Sequence, residues 1–275
     1  MCATCGCGPD SKTTYQLVDK DENNGHDHNH QHLHSHEHSH THDHDEKHNH
    51  SHPEKKVIDV EQDILQQNNL LAERNRGYFD AKNILALNLV SSPGSGKTSL
   101  LERTLIDLKN ELEFVVIEGD QQTNNDANRI AETGTRVTQI NTGKGCHLDA
   151  HMVLHALQGL KPKDNSVMFI ENVGNLVCPA MFDLGEKERV VIISVTEGDD
   201  KPLKYPDMFY SSTLCIINKT DLLPYVPFDI EKVKANAKKV NHHLEIIEVS
   251  CTSGEGLDKW YKWLKSKVLQ PEVVC

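Results

Sequence analysis

A glycine-rich turn in the first half of the chain has the residue types needed to hold a nucleotide phosphate. It reads Ser91-Ser92-Pro93-Gly94-Ser95-Gly96-Lys97-Thr98 and is followed by Ser99. It matches the phosphate-loop pattern Gly-x-x-x-x-Gly-Lys-Ser/Thr, except that Ser91 replaces the first glycine. Backbone N–H groups of such a turn close around phosphate, the lysine reaches the β- and γ-phosphates, and the Thr98 hydroxyl binds Mg²⁺. The alternative is a chance glycine-rich turn. The predicted phosphate-binding residues are Gly94, Ser95, Gly96, Lys97, Thr98 and Ser99.

A second motif, Asn218-Lys219-Thr220-Asp221, follows an apolar run later in the chain. It resembles the Asn-Lys-x-Asp motif that selects guanine in GTPases. The Asp221 carboxylate accepts hydrogen bonds from the paired N–H donors of guanine, which adenine does not offer, so the motif predicts GTP rather than ATP. Ser250-Cys251-Thr252 resembles the loop that lies behind the guanine. GTPases usually have Ser-Ala there, so Cys251 is a departure.

Two carboxylates at predicted strand ends complete a candidate Mg²⁺ site. Asp120 ends the run Val116-Ile117-Glu118-Gly119-Asp120, and Glu171 follows the run Val167–Ile170. Carboxylates at the carboxyl ends of parallel strands face the ligand crevice, and Mg²⁺ takes one or two of them beside phosphate oxygens. The alternative is that each carboxylate only caps the turn that follows it. Because no glutamine stands in the second switch to orient water, we expect slow unassisted hydrolysis.

The first 52 residues carry two further sets of metal-ligating side chains. Cys2, Cys5 and Cys7 place three thiols within six residues, and thirteen of the 27 residues from 26 to 52 are histidine. Thiolates and nitrogen donors suit Ni²⁺ in planar geometry or Zn²⁺ in tetrahedral geometry. The alternatives are a redox pair for the cysteines, and a solvated disordered tail or an expression tag for the histidines.

A third candidate metal cluster lies inside the predicted globular region. Cys146 and His147 follow one predicted strand, Cys178 follows another, and His151 stands four residues after His147. These are borderline-soft ligands, and the four-residue spacing predicts that the two histidines share one helical face. Each residue is alternatively a buried cysteine or an ordinary loop histidine.

Strands and helices that alternate from Ile84 onward must position these side chains. Near-continuous apolar strands separated by helices predict an α/β fold of the P-loop NTPase type, with a mostly parallel, doubly wound sheet covered on both faces. The predicted strands are Ile84–Val90, Phe114–Ile117, Val137–Ile140, Val167–Ile170, Val190–Val195, Leu214–Ile217 and Ile246–Val249. The predicted helices include 57–80, Thr98–Lys109 and Leu257–Val268.

The composition of the chain limits its possible partners and its location. The chain has 275 residues and a net charge of −12, which disfavours nucleic acid as a partner. No window approaches 18 consecutive apolar residues and the first residues do not form a secretory signal, so we expect no membrane span and a cytoplasmic location with reduced cysteines.

We divide the chain into a cysteine tip and spacer (1–25), a disordered histidine-rich segment (26–52), a linker with a helix (53–83) and a GTPase domain (84–275).

Taken together, these motifs resemble the hydrogenase nickel-incorporation GTPase family, HypB, over essentially the whole chain. In that family Ser91 is ordinary. The resemblance implies a GTP- and Mg²⁺-dependent enzyme that dimerises around nucleotide, and metal sites for Ni²⁺ and Zn²⁺. It also implies delivery of Ni²⁺ to the [NiFe]-hydrogenase large-subunit precursor, and a HypA-type nickel metallochaperone as partner.

Three other interpretations compete with this one. The related urease accessory GTPases generally carry a Cys-Pro-His motif, which is absent here. A nickel storage protein would use the histidine-rich segment, although the intact Gly96-Lys97-Thr98 and Asp221 argue against a vestigial nucleotide site. A metal-dependent hydrolase would need an open metal position beside a general base, and no such motif is present.

Overall fold

A computed structural model describes residues 13–18, 53–121 and 123–268. For residues 53–61 it describes the backbone only. Cys2, Cys5, Cys7 and the histidine-rich segment 26–52 lie outside these residues. The described strands are β1 Thr14–Val18, β2 Leu85–Ser91, β3 Phe114–Asp120, β4 Arg136–Asn141, β5 Val167–Glu171, β6 Glu188–Ser194, β7 Leu214–Asn218 and β8 Glu245–Glu248. The described helices are α1 Pro53–Ala81, α2 Lys97–Leu108, α3 Asn125–Glu132, α4 Ala150–Leu160, α5 Cys178–Met181, α6 Lys201–Lys204, α7 Pro206–Tyr210, α8 Ile230–Val240 and α9 Leu257–Val268, and a 3-10 helix spans Thr220–Tyr225.

The eight described strands form one sheet in the order β1-β4-β3-β5-β2-β6-β7-β8. All neighbouring pairs are parallel except β1 with β4, which is antiparallel. Every residue of β2, β5, β6 and β7 is buried, as expected for strands covered by helices on both faces. The predicted fold class is therefore confirmed.

Apolar side chains from both faces of the sheet form the core. On one face, α2 and α9 cover the sheet, and Trp260 donates from Nε1 to Thr104 Oγ1 at 2.9 Å. On the other face, Phe79 of α1 packs with residues of α4 and with the central strands. Both layers leave the carboxyl ends of the strands open, and the loops there carry most of the predicted site residues.

Helix α1 is joined to the sheet domain by buried amides. The fully buried Asn75 donates from Nδ2 to the carbonyl oxygens of Ala150 (2.9 Å) and Leu184 (3.1 Å). Asn68 Oδ1 accepts from the Ala150 N–H at 2.9 Å. These hydrogen bonds fix the start of α4 against α1, so α1 belongs to the packed domain.

Predicted and observed elements differ near the N-terminus. The sequence analysis treats residues 1–25 as a tip and polar spacer, which is wrong for Thr14–Val18, because these residues form β1 on β4. A five-residue edge strand with only partly buried side chains gives little sequence signal. The predicted strands from Ile84 onward agree with the observed ones within three residues at each end, and α9 has the predicted bounds.

Among the described residues, no helix combines the length and the apolar character that crossing a bilayer requires.

Candidate functional site

A crevice of about 530 Å³ opens at the carboxyl ends of β2, β3 and β5. This volume lies in the range of small-molecule sites. The crevice is lined by the phosphate loop, by acidic residues of β3 and β5, and by Lys219 from the loop after β7. The fold thus brings the predicted phosphate and Mg²⁺ residues to one place.

The phosphate loop has the backbone conformation that its glycines permit. Gly94 and Gly96 adopt φ values of 75° and 90°, in the left-handed region, and Gly96 is the N-cap of α2. A Cβ atom on Gly96 would overlap the Asn218 side chain. The first free N–H groups of α2 therefore face the crevice, as an anion site requires.

The two residues after Gly96 contact Glu171 at the end of β5. Thr98 Oγ1 donates to Glu171 Oε1 at 2.7 Å, and Lys97 Nζ lies 3.7 Å from the same oxygen. Burial raises the pKa of Glu171, an effect that Lys97 and Thr98 oppose. Glu171 Oε2 is buried without a hydrogen-bond partner among the described residues. This unsatisfied oxygen beside a hydroxyl fits a Mg²⁺ site of the predicted kind.

Asp120 also lies in the crevice, but its carboxylate is bonded to the turn that follows it. Oδ1 accepts from the Gln121 N–H at 2.7 Å, and Oδ2 accepts from the N–H and the hydroxyl of Thr123 at 2.9 and 2.5 Å. The capping role weighed in the sequence analysis is therefore present.

Glu118 is a site residue that the sequence analysis missed. It is 2% exposed on β3, directly opposite Glu171 on β5, and it lines the same crevice. Burial, followed by the charges of Glu171 and Asp120, raises the pKa of Glu118 to about 9. The sequence does contain a signal for it. Glu118 is a charged residue inside an apolar strand, and it stands two positions before Asp120, so both side chains face the same side of the sheet.

The Asn218–Asp221 motif is hydrogen-bonded to the phosphate loop. Asn218 Nδ2 donates to the Ser95 carbonyl at 2.9 Å, and Lys219 Nζ donates to the Gly94 carbonyl at 2.7 Å. Ser250 Oγ donates to Asp221 Oδ1 at 2.6 Å, which orients the carboxylate predicted to select guanine. The motif is thus more than an isolated turn.

A further contact to the phosphate loop also escaped the sequence analysis. Ser95 Oγ donates to Glu197 Oε1 at 2.6 Å, and Lys201 Nζ donates to Ser92 Oγ at 2.7 Å. Glu197 and Lys201 form an ion pair of 2.8 Å with each other. Glu197 in the loop after β6 and Lys201 at the start of α6 therefore hold the phosphate loop.

The predicted internal metal cluster is assembled by two neighbouring loops. The ligand atoms of Cys146, His147 and Cys178 all lie within 4.8 Å of one another. Cys146 Sγ is 3.7 Å from His147 Nδ1, and the His147 ring stacks on Phe182 at 4.0 Å between centroids. Burial lowers the pKa of His147, which favours the neutral imidazole that a metal requires. Two thiols and an imidazole fit Ni²⁺ or Zn²⁺.

His151 does not join this cluster. The prediction that His147 and His151 share one helical face is wrong, because α4 begins at Ala150 with Asp149 as its N-cap. His147 therefore precedes the helix, whereas the exposed His151 lies on it, outside the group of three ligands.

Residues 85–248 match the family described as "CobW/HypB/UreG, nucleotide-binding domain". The hydrogenase maturation factor HypB of Escherichia coli K12 is 59% identical over 214 residues, which cover 78% of this chain and 74% of that protein. The HypB of Cupriavidus necator is 43% identical, covering 96% of this chain and 88% of its own length.

Two solved structures are similar in fold and sequence. HypB from Archaeoglobus fulgidus gives a TM-score of 0.70 with 42% identity, covering 74% of this chain and 99% of its own. HypB from Helicobacter pylori, crystallised in complex with nickel, gives a TM-score of 0.69 with 39% identity, covering 74% and 95%.

Proposed function

Because this chain belongs to the HypB family of hydrogenase maturation factors, with its CobW/HypB/UreG nucleotide-binding domain, we propose that it is a GTPase that binds Ni²⁺ and delivers it to the [NiFe]-hydrogenase large-subunit precursor. One observation carries the proposal. A single loop joins Glu171, the last residue of β5, which lies in the phosphate crevice, to Cys178, the first residue of α5, which lies in the thiol–imidazole cluster. Nucleotide state and metal binding thus share one segment of backbone.

In this mechanism, Lys97 and the free N–H groups at the start of α2 neutralise the phosphate oxygens. Mg²⁺, when bound, neutralises charge that develops between the β- and γ-phosphates. The residues that would hold it are Thr98, Glu171 and Asp120. Asp221, oriented by Ser250, selects the guanine edge. Hydrolysis converts GTP and water into GDP and phosphate.

Nickel is the cargo of the reaction. The two thiols lose protons when they bind it, so affinity falls on acidification. The nickel-bound structure of the Helicobacter pylori relative supports this cargo. Zn²⁺ satisfies the same donors and is the competing ion.

Loss of the γ-phosphate relaxes the loop from Glu171 to Cys178, as switch loops do in GTPases. Three ligands per chain suit a site completed across a two-fold homodimer. A HypA-type metallochaperone and the hydrogenase precursor are the proposed partners, in the cytoplasm.

Nucleotide turnover tests the proposal directly. We expect the chain to hydrolyse GTP slowly, with little ATPase activity, and Lys97→Ala to lose at least about 100-fold in turnover. Asp221→Asn should lose the preference for guanine. The exposed Lys239→Ala is the matched control and should keep full activity. Equal affinity of the parent protein for ATP and GTP would refute the guanine assignment, and absent turnover would favour a storage protein.

A further inference from the structure

A buried ion pair is bonded to the segment that carries Cys178. Arg189 on β6 and Glu186, two residues before β6, are 8% and 9% exposed. The guanidinium donates from Nε to Glu186 Oε1 at 2.9 Å. It also donates from Nη1 to the carbonyl oxygen of Ala180 at 3.2 Å, and from Nη2 to that of Phe182 at 2.9 Å. One side chain therefore holds the last turn of α5 and the residue that follows it.

Phe182 extends this restraint to a second metal ligand. Its ring stacks on the ring of His147, with 4.0 Å between centroids. Cys178 stands four residues earlier, at the start of α5. A shift of the backbone from 178 to 182 would thus move one ligand together with the ring on which another ligand packs.

The ion pair continues into a chain of side-chain hydrogen bonds that ends at the other ligand loop. Glu186 Oε1 accepts from Asn88 Nδ2 at 3.0 Å, and Asn88 Oδ1 accepts from Asn172 Nδ2 at 3.3 Å. Asn172 Oδ1 accepts from the N–H of Leu148, the residue after His147, at 3.1 Å. Four side chains therefore connect the two ligand loops through the central strands.

The hydrogen bonds of this four-residue chain are complete. Glu186 Oε2 accepts from the Leu184 N–H at 2.7 Å, and Arg189 Nη1 also donates to Ser211 Oγ at 2.9 Å. Within the described part of the protein, no buried polar atom of the four side chains lacks a partner. A fully satisfied buried network favours a single arrangement, whereas the loss of one charged partner leaves the other unpaired. The network thus fixes the spacing of the ligand loops before an ion binds.

We propose that Arg189 is a positioning residue for the metal cluster. Through the carbonyl groups of Ala180 and Phe182, it holds Cys178 at the distance from the other two ligands that the ion requires. Ni²⁺ favours a planar and Zn²⁺ a tetrahedral arrangement of such donors, so a fixed spacing influences which ion is bound. The inference rests on the proposed nickel function and adds the group that determines the geometry of its site.

The substitution Arg189→Lys tests the positioning role. Lysine keeps a positive charge beside Glu186, but its ammonium does not reproduce the planar fork that reaches the carboxylate and both carbonyl groups. We expect the Ni²⁺ affinity of the cluster to fall at least about tenfold, as after the loss of other groups that orient ligands. The thiolate-to-nickel charge-transfer bands should also shift, whereas GDP affinity should not change.

All variants are made in the full chain with the N-terminal thiols replaced, by Cys2→Ser, Cys5→Ser and Cys7→Ser. Imidazoles give no thiolate band, so the bands report the remaining thiolates, and the histidine-rich segment competes for Ni²⁺ equally in every variant. Alkylation with mass spectrometry identifies which cysteines the ion protects. In the reference chain these should be Cys146 and Cys178.

Ser211→Ala is the matched control. It removes one hydrogen bond of Arg189 and leaves the two carbonyl contacts in place, so bands and affinity should equal those of the reference chain. A double variant, Arg189→Met with Glu186→Gln, removes both buried charges together and leaves neither unpaired. It should show the same loss of nickel affinity as Arg189→Lys.

Two results would overturn the inference. The first is reference-like bands and Ni²⁺ affinity in both Arg189→Lys and the double variant. The second is an equal loss of GDP and Ni²⁺ affinity in both, which would mark a general structural role. A reference chain without thiolate bands would overturn the proposed nickel function and this inference together. Intact bands without GTP turnover would count against the proposed GTPase alone.

Discussion

The side-chain oxygen of Asn172 accepts a hydrogen bond from the backbone N–H of Leu148 at 3.1 Å. Asn172 directly follows Glu171 of the phosphate crevice, and Leu148 directly follows His147 of the metal cluster. Asn172 Nδ2 also donates to Asn88 Oδ1 of β2 at 3.3 Å. One buried amide therefore joins the strand that ends in the crevice to the loop that carries two metal ligands.

We predict that Asn172→Ala uncouples metal binding from the nucleotide. In the parent, Ni²⁺ affinity should differ between GDP and a non-hydrolysable GTP analogue by about 1–3 kcal/mol, a typical coupling energy. In the variant this difference should shrink to less than half. Asn165→Ala is the control, since it breaks the Asn83–Asn165 side-chain bond at the far edge of the sheet. Unchanged coupling in Asn172→Ala would contradict the prediction.

The second prediction concerns Glu118 and pH. Its folded pKa of about 9 lies above the ordinary 4.5, so between these values the native protein keeps a proton that the unfolded chain has lost. Stability should therefore fall as pH rises through this window, by at most about 1.4 kcal/mol per pH unit. Glu118→Gln stays neutral and should become the more stable protein at pH 8, with a smaller advantage at pH 5.

Urea unfolding of the nucleotide-free, metal-free protein measures this difference. The exposed Glu132→Gln serves as the control and should follow the parent at every pH. A constant gap between Glu118→Gln and the parent from pH 5 to pH 8 would show that Glu118 is ionised in the native state.

The third prediction uses a glycine that touches the phosphate loop. A Cβ atom on Gly174 would lie 3.1–3.2 Å from atoms of Pro93, two of them backbone atoms. Gly174→Ala should displace the loop and weaken GDP affinity roughly tenfold, or about 1.4 kcal/mol. Gly77→Ala in α1 meets no atom within 4 Å and should instead stabilise the protein by about 0.5–1 kcal/mol. Fluorescent GDP titration and thermal unfolding separate the two effects.

The fourth prediction tests the internal cluster. In a chain lacking 1–12 and 26–52, Cys178→Ala should weaken Ni²⁺ binding at least about tenfold, since it removes one of three ligands. Cys215→Ala changes a core thiol whose pKa burial raises to about 12, and metal affinity should not change. GDP binding should survive in both variants. If Cys178→Ala abolished GDP binding, Cys178 would be a structural residue of the loop.

The fifth prediction concerns residues 26–52, which lie outside the described residues. Imidazoles of ordinary pKa near 6.5 are mostly neutral at pH 7 and mostly protonated near pH 5. The full chain should therefore release several Ni²⁺ ions between these values, and deletion of the segment should lower nickel capacity while GTP turnover persists. Dialysis with metal analysis measures both. Unchanged capacity after deletion would remove the storage role.

The sequence determined the sheet domain and the identity of its main motifs. Apolar runs such as Val190–Ile193 are uninterrupted, which is typical of strands buried on both faces. Gly96-Lys97-Thr98 and Asn218–Asp221 are local patterns, and a local pattern can be read before the fold is known. The same holds for α9, whose boundaries follow from its own periodicity.

The tertiary structure alone decided what depends on distant residues. Cys146 and Cys178 become neighbours because β4 and β5 end at one edge, and Glu118 becomes a buried acid because Glu171 lies opposite it. The strand Thr14–Val18 exists because β4 offers an unpaired edge, not because its own residues demand it. Burial and strand order are properties of the assembled chain, so a linear pattern names these residues without fixing what they face.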